Sequence, residues 1–213
     1  TKFFYEKPDL VLDVALNGVN SILYLCSKIN FNKLIYASTS EVYNEPKILP
    51  TTEEEGIKIP DILNPRFSYA GGKIFGELVF INKFKNLNKD FLKIFRPHNI
   101  FGPNMGNEHV IPNLTEKIIK NISKNSNEVN INIQGTGNEE RSFCYIDDAV
   151  NQINLIINDN SNQIIYNIGN ENKYSVKELL VLYEKIFNLK INYIASKSKL
   201  NSPTKRYPDI SKV

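Results

Sequence analysis

The chain is poor in the residue types that build metal centres and disulfide-linked folds. Its 213 residues include two cysteines and two histidines. Cys26 and Cys144 lie far apart among apolar neighbours, so we expect two buried free thiols, which fit a cytoplasmic setting. Two histidines alone do not make a metal site, and no Cys-x-x-Cys or His-Glu-x-x-His pattern occurs. The sequence therefore predicts no metal centre.

Long hydrophobic runs and a strong charge imbalance are also missing. No apolar run approaches the roughly 18 residues of a membrane-spanning helix, and the start, TKFFYEKPDL, is too polar for a signal peptide. The net charge is +3, and the basic residues are scattered. We therefore expect a cytoplasmic protein with no membrane partner and no nucleic-acid surface.

Arginine is scarce although positive charge is not. Only four of the 26 basic residues are arginines, at positions 66, 96, 141 and 206. Where lysine is the default cation, an arginine can mark a place that needs a planar, bidentate donor for phosphate or carboxylate. Chance and codon bias explain the same scarcity, so both explanations stay open.

Helical and strand patterns alternate along the chain. Helices are predicted near 9–29, 68–85, 110–123, 147–157 and 176–187, and strands near 33–38, 90–97, 129–134, 141–146, 164–169 and 190–195. This alternation indicates an α/β protein with a largely parallel sheet. The strands become shorter after about residue 104, which we interpret as a lobe boundary. The residues after 195 are interpreted as a polar tail.

A tyrosine and a lysine share one helix face in the stretch SYAGGKIFGE, residues 68–77. Tyr69 and Lys73 are four residues apart. A phenol has a pKa of about 10, and a nearby ammonium lowers that pKa, so the pair could shuttle a proton to and from a substrate hydroxyl. Tyr-x-x-x-Lys also occurs by chance on many helices.

Glycines lie inside the same predicted helix, where each costs roughly 1 kcal/mol relative to alanine. The two between Tyr69 and Lys73 would let a flat ligand or another backbone approach closely. Tight packing against a neighbouring helix is the alternative, and Gly76, one turn later, suits that alternative well.

Polar residues follow the predicted strand at 33–38. In an open α/β sheet, ligands bind beyond the carboxyl ends of the strands, which is where Thr39, Ser40 and Glu41 stand. Hydroxyls can hold a sugar-like substrate, and a carboxylate can act as an acid or a base. Simple turn chemistry and capping explain the same residues.

Two further loops follow predicted strands. The first is FRPHNIFGPNMG, 95–106, and the second is QGTGNEERSF, 134–143. Gly135-Thr136-Gly137 suggests a dinucleotide fingerprint, but position 140 is Glu rather than Gly, and no apolar helix opens there. We interpret the second loop as a turn that delivers Arg141.

These segments, in this order, resemble the extended short-chain dehydrogenase/reductase family, in its branch of NAD-dependent nucleotide-sugar epimerases, dehydratases and decarboxylases. The resemblance covers essentially the whole chain, through STSEVY, NPRFSYAGGK, RPHNIFGP, GTGNEERSFCYIDDAV and KRYPDISK. It implies a partial Rossmann-like, doubly wound parallel sheet with a smaller α/β substrate-binding lobe. STSEVY and the Gly-Lys ending of the tyrosine motif look most like UDP-glucuronate decarboxylases. RPHNIFGPNMG looks more like assorted epimerases, so the exact reaction stays open.

The resemblance implies catalytic roles for five residues. Tyr69 takes the proton of the C4 hydroxyl of the sugar while NAD⁺ takes the hydride. Lys73 lowers the pKa of Tyr69 and bonds the nicotinamide ribose, and Thr39 bonds the same sugar hydroxyl. Ser40 and Glu41 act on the neighbouring carbons of the keto intermediate.

The resemblance also implies the ligand contacts. Ser38 and Pro97 join the cofactor site, and Asn99, Arg141 and Arg206 bind the nucleotide-diphosphate sugar. That assignment uses two of the four arginines, and it leaves Arg66 and Arg96 as structural residues.

Domain boundaries follow from the same resemblance. Residues 1–104 correspond to the C-terminal part of an NAD-binding Rossmann domain against which 141–159 packs, and 105–213 correspond to a substrate lobe that is incomplete at its C-terminus. The family opens with a Gly-rich turn for the cofactor pyrophosphate, which this sequence lacks. We therefore expect a piece cut at both ends, with weak NAD binding of its own. A homodimer of the complete protein is expected, and a non-catalytic sugar-nucleotide-binding remnant is an alternative.

Overall fold

A computed structural model describes residues 2–85, 91–123, 127–196 and 203–213. The helices are α1 (Lys2–Glu6), α2 (Pro8–Cys26), α3 (Ser68–Phe84), α4 (Val110–Asn121), α5 (Ile146–Asn158) and α6 (Val176–Phe187). The strands are β1 (Leu34–Ala37), β2 (Leu92–Pro97), β3 (Ile100–Phe101), β4 (Glu128–Ile133), β5 (Glu140–Ser142), β6 (Cys144–Tyr145), β7 (Ile165–Ile168), β8 (Lys173–Ser175), β9 (Lys190–Ala195) and β10 (Lys205–Arg206). Two 3₁₀ helices, Ser40–Tyr43 and Pro65–Phe67, precede α3.

A parallel sheet in the order β1-β2-β7 forms the centre of the first lobe. Helices cover both of its faces: α2 and α3 supply one hydrophobic core, and α5 supplies another. Crossover helices on both faces are what a parallel sheet requires. The prediction of a partial, doubly wound Rossmann-like α/β fold is confirmed.

Strand β2 shows how the alternation of its side chains builds these two cores. Leu92 and Ile94 face α3, whereas Phe95 packs into the core beneath α5. Lys93 points to the α5 side and is fully buried, where its ammonium binds Asp159 Oδ2 at 2.9 Å and two backbone carbonyls. Buried charge is tolerated there because every donor of the ammonium has an acceptor.

The second lobe is built around the parallel pair β4–β9, covered by α4 and α6. Its core consists of aliphatic residues: Leu114, Ile118, Val129, Ile131, Ile133, Leu179, Leu180 and Ile191. Ser175 and Glu178 form a capping box at the start of α6. A three-stranded sheet of short strands in the order β10-β5-β8 and the pair β3–β6 lie outside these two sheets. The domain boundary near residue 104 stays a prediction.

The prediction of a polar tail after residue 195 is wrong for 203–213. Strand β10 pairs with β5, and Thr51 forms a β-bridge with Pro208. Asn167 of β7 donates from its side chain to the carbonyl oxygens of Thr51 and Asp209. The segment therefore crosses the carboxyl end of the main sheet and brings Arg206 into the interior.

Helix α2 is more exposed than its periodicity predicts. Only Val19 is fully buried on it, and Val14 is 65% exposed. By length and composition alone this helix, with a mean hydropathy of 1.3, is apolar enough to cross a membrane, so the absence of a membrane partner stays a prediction. In the structure α2 packs against α3.

The glycines of α3 serve packing between elements. A Cβ at position 72 would lie 2.6 Å from the Cβ of Ala15 on α2, and a Cβ at position 76 would lie 2.6 Å from Cζ of Tyr36 on β1. At position 71 the nearest atom would be at 3.4 Å, in Ile59. Packing against α2 and β1 therefore explains the glycines at positions 72 and 76. Clearance for a ligand does not explain them.

We expect Gly76→Ala to destabilise the fold and Gly71→Ala to leave it intact. The new methyl at 76 would collide with the Tyr36 ring, and overpacking of this kind costs about 1–3 kcal/mol. At 71 the methyl fits, so the variant gains up to about 1 kcal/mol of helix propensity. Equilibrium urea unfolding measures both changes, and equal stability of the two variants would contradict the packing role.

Candidate active site

The tyrosine and the lysine of the predicted pair lie at the start of α3, over the carboxyl end of β1. Asn64 caps the preceding 3₁₀ helix by accepting from the Arg66 N–H at 3.0 Å, and α3 begins directly after it. Lys73 Nζ donates to the carbonyl oxygen of Ala37 at 2.8 Å. The ammonium lies 5.3 Å from the centroid of the Tyr36 ring and 5.9 Å from that of Tyr69.

The pKa values of the pair are set by burial. Burial raises the pKa of Tyr69, a hydrogen bond with Thr39 lowers it, and the Glu41 carboxylate raises it, with a net increase. Burial lowers the pKa of Lys73. The Lys73 ammonium donates to Ala37 and is not among the groups that shift the pKa of Tyr69 here, so the expectation that Lys73 lowers this pKa stays a prediction.

The residues that follow β1 are buried. Ser38, Thr39 and Ser40 are each less than a tenth exposed. The Ser38 hydroxyl donates to Glu77 of α3, so its side chain faces the helix. Thr39 caps the 3₁₀ helix at 40–43 by accepting from the Glu41 N–H at 3.3 Å. Thr39 therefore caps the turn and also lies beside Tyr69.

Glu41 lies between two arginines. Arg206 Nη2 is 2.7 Å from one carboxylate oxygen, and Arg66 Nη2 is 3.4 Å from the other. Burial alone would raise the pKa of Glu41, but Arg206, Arg66 and Arg141 together lower it. Glu41 is therefore held as a carboxylate. The sequence analysis assigned Arg66 a structural role and did not predict that it lies beside Glu41.

Arg141 and Arg206 reach the same region from β5 and β10. Arg141 donates to the backbone carbonyls of Glu140, Pro203 and Thr204 at 2.5–3.1 Å, and burial lowers its pKa to about 10. Within the described residues, Arg66 Nε and both Nε and Nη1 of Arg206 are buried without a hydrogen-bond partner. Unpaired buried donors are costly, so these nitrogens are suited to an incoming anion.

The loop after β2 supplies Pro97, His98 and Asn99. Asn99 adopts φ 42° and donates from Nδ2 to the Ser142 carbonyl at 3.0 Å. His98 is fully buried, and burial lowers its pKa to about 3, so its ring is neutral. Its Nε2 lies 3.4 Å from Asn167 Oδ1.

The turn Gly135-Thr136-Gly137 binds a carboxylate of its own chain. Both glycines have positive φ, and the Glu139 side chain accepts from the N–H groups of Thr136 and Gly137, each at 2.9 Å. Successive N–H groups of this kind form an anion-binding nest. The interpretation of this loop as a turn rather than a cofactor site agrees with this geometry.

Two cavities border the site. The first, of about 600 Å³, lies between α1, α2, α3 and β1 and is open to Tyr69 and Lys73. The second, of about 320 Å³, is lined by Glu41, Asn99, Arg141, Arg206 and Arg66 among others. The candidate residues Ser38, Thr39, Ser40 and Pro97 line neither cavity. In the described part of the chain, no three His, Cys, Asp or Glu side chains come together as a metal site.

A family model for the NAD dependent epimerase/dehydratase family matches residues 4–169. The chain belongs to this family. Its curated relatives include a dTDP-D-glucose 4,6-dehydratase of Dictyostelium discoideum, which is 29% identical over 82% of the chain and 39% of its own length. UDP-glucuronic acid decarboxylase 3 of Arabidopsis thaliana is 26% identical over 99% of the chain and 59% of its own length.

Solved structures of the family show the same fold. UDP-glucuronic acid 4-epimerase from Bacillus cereus, determined in complex with UDP-glucuronic acid and NAD, is 27% identical and superposes with a TM-score of 0.74. The match covers 91% of this chain and 58% of the epimerase. The chain thus spans about half the length of the family members that it matches.

The first cavity fits one end of the cofactor of this family. Tyr69 and Lys73 open into it, and the other lining residues are mainly apolar, which suits a nicotinamide ring. Phe4 of α1 stacks on the Tyr69 ring, with centroids 4.9 Å apart. Among the described residues that line this cavity, Lys73 is the one charged side chain. This lining suits the nicotinamide end of the cofactor, and the described residues of the cavity include no set of donors for a pyrophosphate.

We expect Thr39→Val to raise the pKa of Tyr69 further. The hydrogen bond from Thr39 is the one interaction found to lower that pKa, and valine removes it while keeping the volume. Titration of ¹³Cζ-labelled tyrosine by NMR, assigned with Tyr69→Phe, measures the shift. Thr115→Val is the matched control, because the Thr115 hydroxyl bonds Tyr183 at 2.7 Å. Thr115→Val should shift the titration of Tyr183 alone. An unchanged titration of Tyr69 in Thr39→Val would refute the contact between Thr39 and Tyr69.

Proposed function

We propose that the complete protein to which these residues belong is an NAD-dependent nucleotide-sugar epimerase or dehydratase that transiently oxidises C4 of the sugar. The observation that supports this function is the position of Tyr69. It contacts Thr39 and opens into the cavity that it shares with Lys73. A base for this reaction must lie within hydrogen-bond reach of a substrate hydroxyl, and Tyr69 lines a cavity large enough for part of a ligand.

The residues of the chain then divide the chemistry. Tyr69 would accept the proton of the C4 hydroxyl, which Thr39 orients, once its own phenol is ionised, and bound NAD would accept the hydride. Lys73 would hold the nicotinamide ribose in place of its present bond to the Ala37 carbonyl. Glu41, kept ionised by its arginines, is suited to act as a base toward the carbon next to the C4 ketone. Ser40, which precedes Glu41 in the chain, acts in the same step.

The substrate class is a nucleoside-diphosphate sugar. The unpaired guanidinium nitrogens of Arg206, together with Arg141 and Asn99, line the second cavity. Arginine binds phosphate oxygens through paired N–H donors. In this proposal the diphosphate lies in the second cavity and the sugar reaches toward Tyr69.

UDP-glucuronate decarboxylation is a second candidate, and the position of Arg66 favours it. Arg66 lies against Glu41 with its Nε unpaired. An arginine at this place could hold the carboxylate of a uronic acid beside the C4 ketone, where loss of CO₂ is activated. Release of CO₂ from UDP-glucuronate by the complete protein would support this function over epimerisation or dehydration.

We also propose a cytoplasmic homodimer of the complete protein. The exposed apolar side chains of α2 and α3 support an interface at these two helices; they include Leu12, Val14, Leu16, Phe75 and Leu78. Such an apolar face is typical of an interaction surface. Light scattering in detergent-free buffer measures the mass, and a monomer would contradict the dimer.

Membrane-bound protein after cell fractionation would contradict the cytoplasmic location.

Tyr69→Phe in the complete protein should reduce kcat by at least about 100-fold, the usual contribution of a positioned acid–base group. Binding of the nucleotide sugar should stay within about threefold, because the aromatic ring is kept. Turnover is followed by product chromatography and affinity by calorimetry.

Tyr193→Phe, on β9 of the second lobe, is the matched control and should retain full activity. Full turnover in Tyr69→Phe would refute the proposed base. A wild-type protein that binds nucleotide sugars without turning them over would favour the non-catalytic binding remnant.

A further inference from the structure

The helix that carries Tyr69 and Lys73 also carries a buried carboxylate, Glu77, which the proposed chemistry does not use. It forms a two-pronged ion pair with Arg96 of β2: Nε lies 2.9 Å from Oε1 and Nη2 lies 2.5 Å from Oε2. The two side chains are 2% and 3% exposed. A buried ion pair contributes little net stability, because desolvation offsets the attraction. What this pair contributes is a fixed geometry.

The ion pair joins the ends of several elements. The Ser38 hydroxyl at the end of β1 donates to Glu77. Arg96 Nη1 donates to the Tyr43 hydroxyl at 2.8 Å, and that hydroxyl donates to Asn167 Oδ1 on β7 at 2.8 Å. Helix α3, the carboxyl ends of β1, β2 and β7, and the 3₁₀ helix after Thr39 are therefore held by one buried network.

The contacts of α3 cluster at the carboxyl end of β1 and the two residues that follow it. Tyr69, Lys73 and Glu77 are spaced by four residues and share a face of the helix. Lys73 bonds the carbonyl of Ala37 and Glu77 accepts from the Ser38 hydroxyl, and Tyr69 lies close enough to Thr39 for the Thr39 side chain to lower the pKa of the phenol. A slip of the helix along the strand would break all three contacts together.

We propose that Glu77 is a positioning residue for Tyr69. Together with Arg96 it fixes the register of α3 against the end of β1 and so holds the phenol against Thr39. The effect on rate rests on the proposed function, whereas the position of the phenol is measurable without turnover. A misplacement of about 1 Å at a reacting group can cost about 100-fold in rate.

The decisive variant is Glu77→Leu/Arg96→Met in the complete protein. It removes both charges and keeps apolar volume, so we expect a folded protein with an unchanged thermal midpoint. We expect kcat to fall by about 100-fold and the KM of the nucleotide sugar to stay within about threefold. Tyr69 should titrate at higher pH by ¹³Cζ NMR, because its bond with Thr39 is lost.

A control removes the other ion pair of the same strand, in which Lys93 is buried and Asp159 is partly exposed. Lys93 binds Asp159 on the opposite face of β2, near its amino end. Lys93→Met/Asp159→Leu should leave the titration of Tyr69 and the kcat of the protein unchanged, whatever it does to stability.

Wild-type kcat together with an unmoved Tyr69 titration in the folded double variant would overturn the positioning role. If that variant does not fold, Ser38→Ala removes the contact between β1 and Glu77 alone. It should also raise the titration of Tyr69, and an unmoved titration would overturn the proposal. A shifted titration in a protein whose wild type has no turnover would contradict the proposed function and leave the positioning role supported.

Discussion

The close approach of α3 to β1 is the constraint on which the rest of the site depends. Position 76 admits no side chain because Tyr36 lies against it, and position 72 admits none because Ala15 of α2 does. At this separation the ammonium of Lys73 reaches the carbonyl oxygen of Ala37, and the Glu77 carboxylate reaches the hydroxyl of Ser38. A helix kept farther away by larger side chains would lose these bonds, since hydrogen bonds weaken steeply beyond about 3.2 Å.

The arginines of the chain form two different kinds of site. Arg96 is paired with Glu77 through both nitrogens of one guanidinium edge, Nε and Nη2, and the pair is closed to solvent. Arg66 and Arg206 share the single carboxylate of Glu41 and keep unpaired nitrogens. The closed pair holds secondary structure elements in register, whereas the shared carboxylate leaves positive charge in the second cavity. This difference separates a positioning role from a ligand-binding role within one small set of residues.

Much of the fold could be predicted from the sequence because its local patterns are strong. The strand at 190–195 has the predicted bounds, and α3 differs from its predicted bounds by one residue. The shared face of Tyr69 and Lys73 follows from helical periodicity alone. The exposure of α2 could not be predicted this way, because periodicity marks an apolar stripe without saying whether another element covers it.

The sequence by itself determined the α/β class, the order of the longer helices and strands, and the tyrosine–lysine pair, since these depend on neighbours within one helix or strand. Only the tertiary structure decided what the glycines and arginines do, because their partners lie far away in the chain. Arg206 meets Glu41 because β10 pairs with β5 and crosses the end of the main sheet. The direction of the pKa of Tyr69 was likewise decided by burial, which no local pattern encodes.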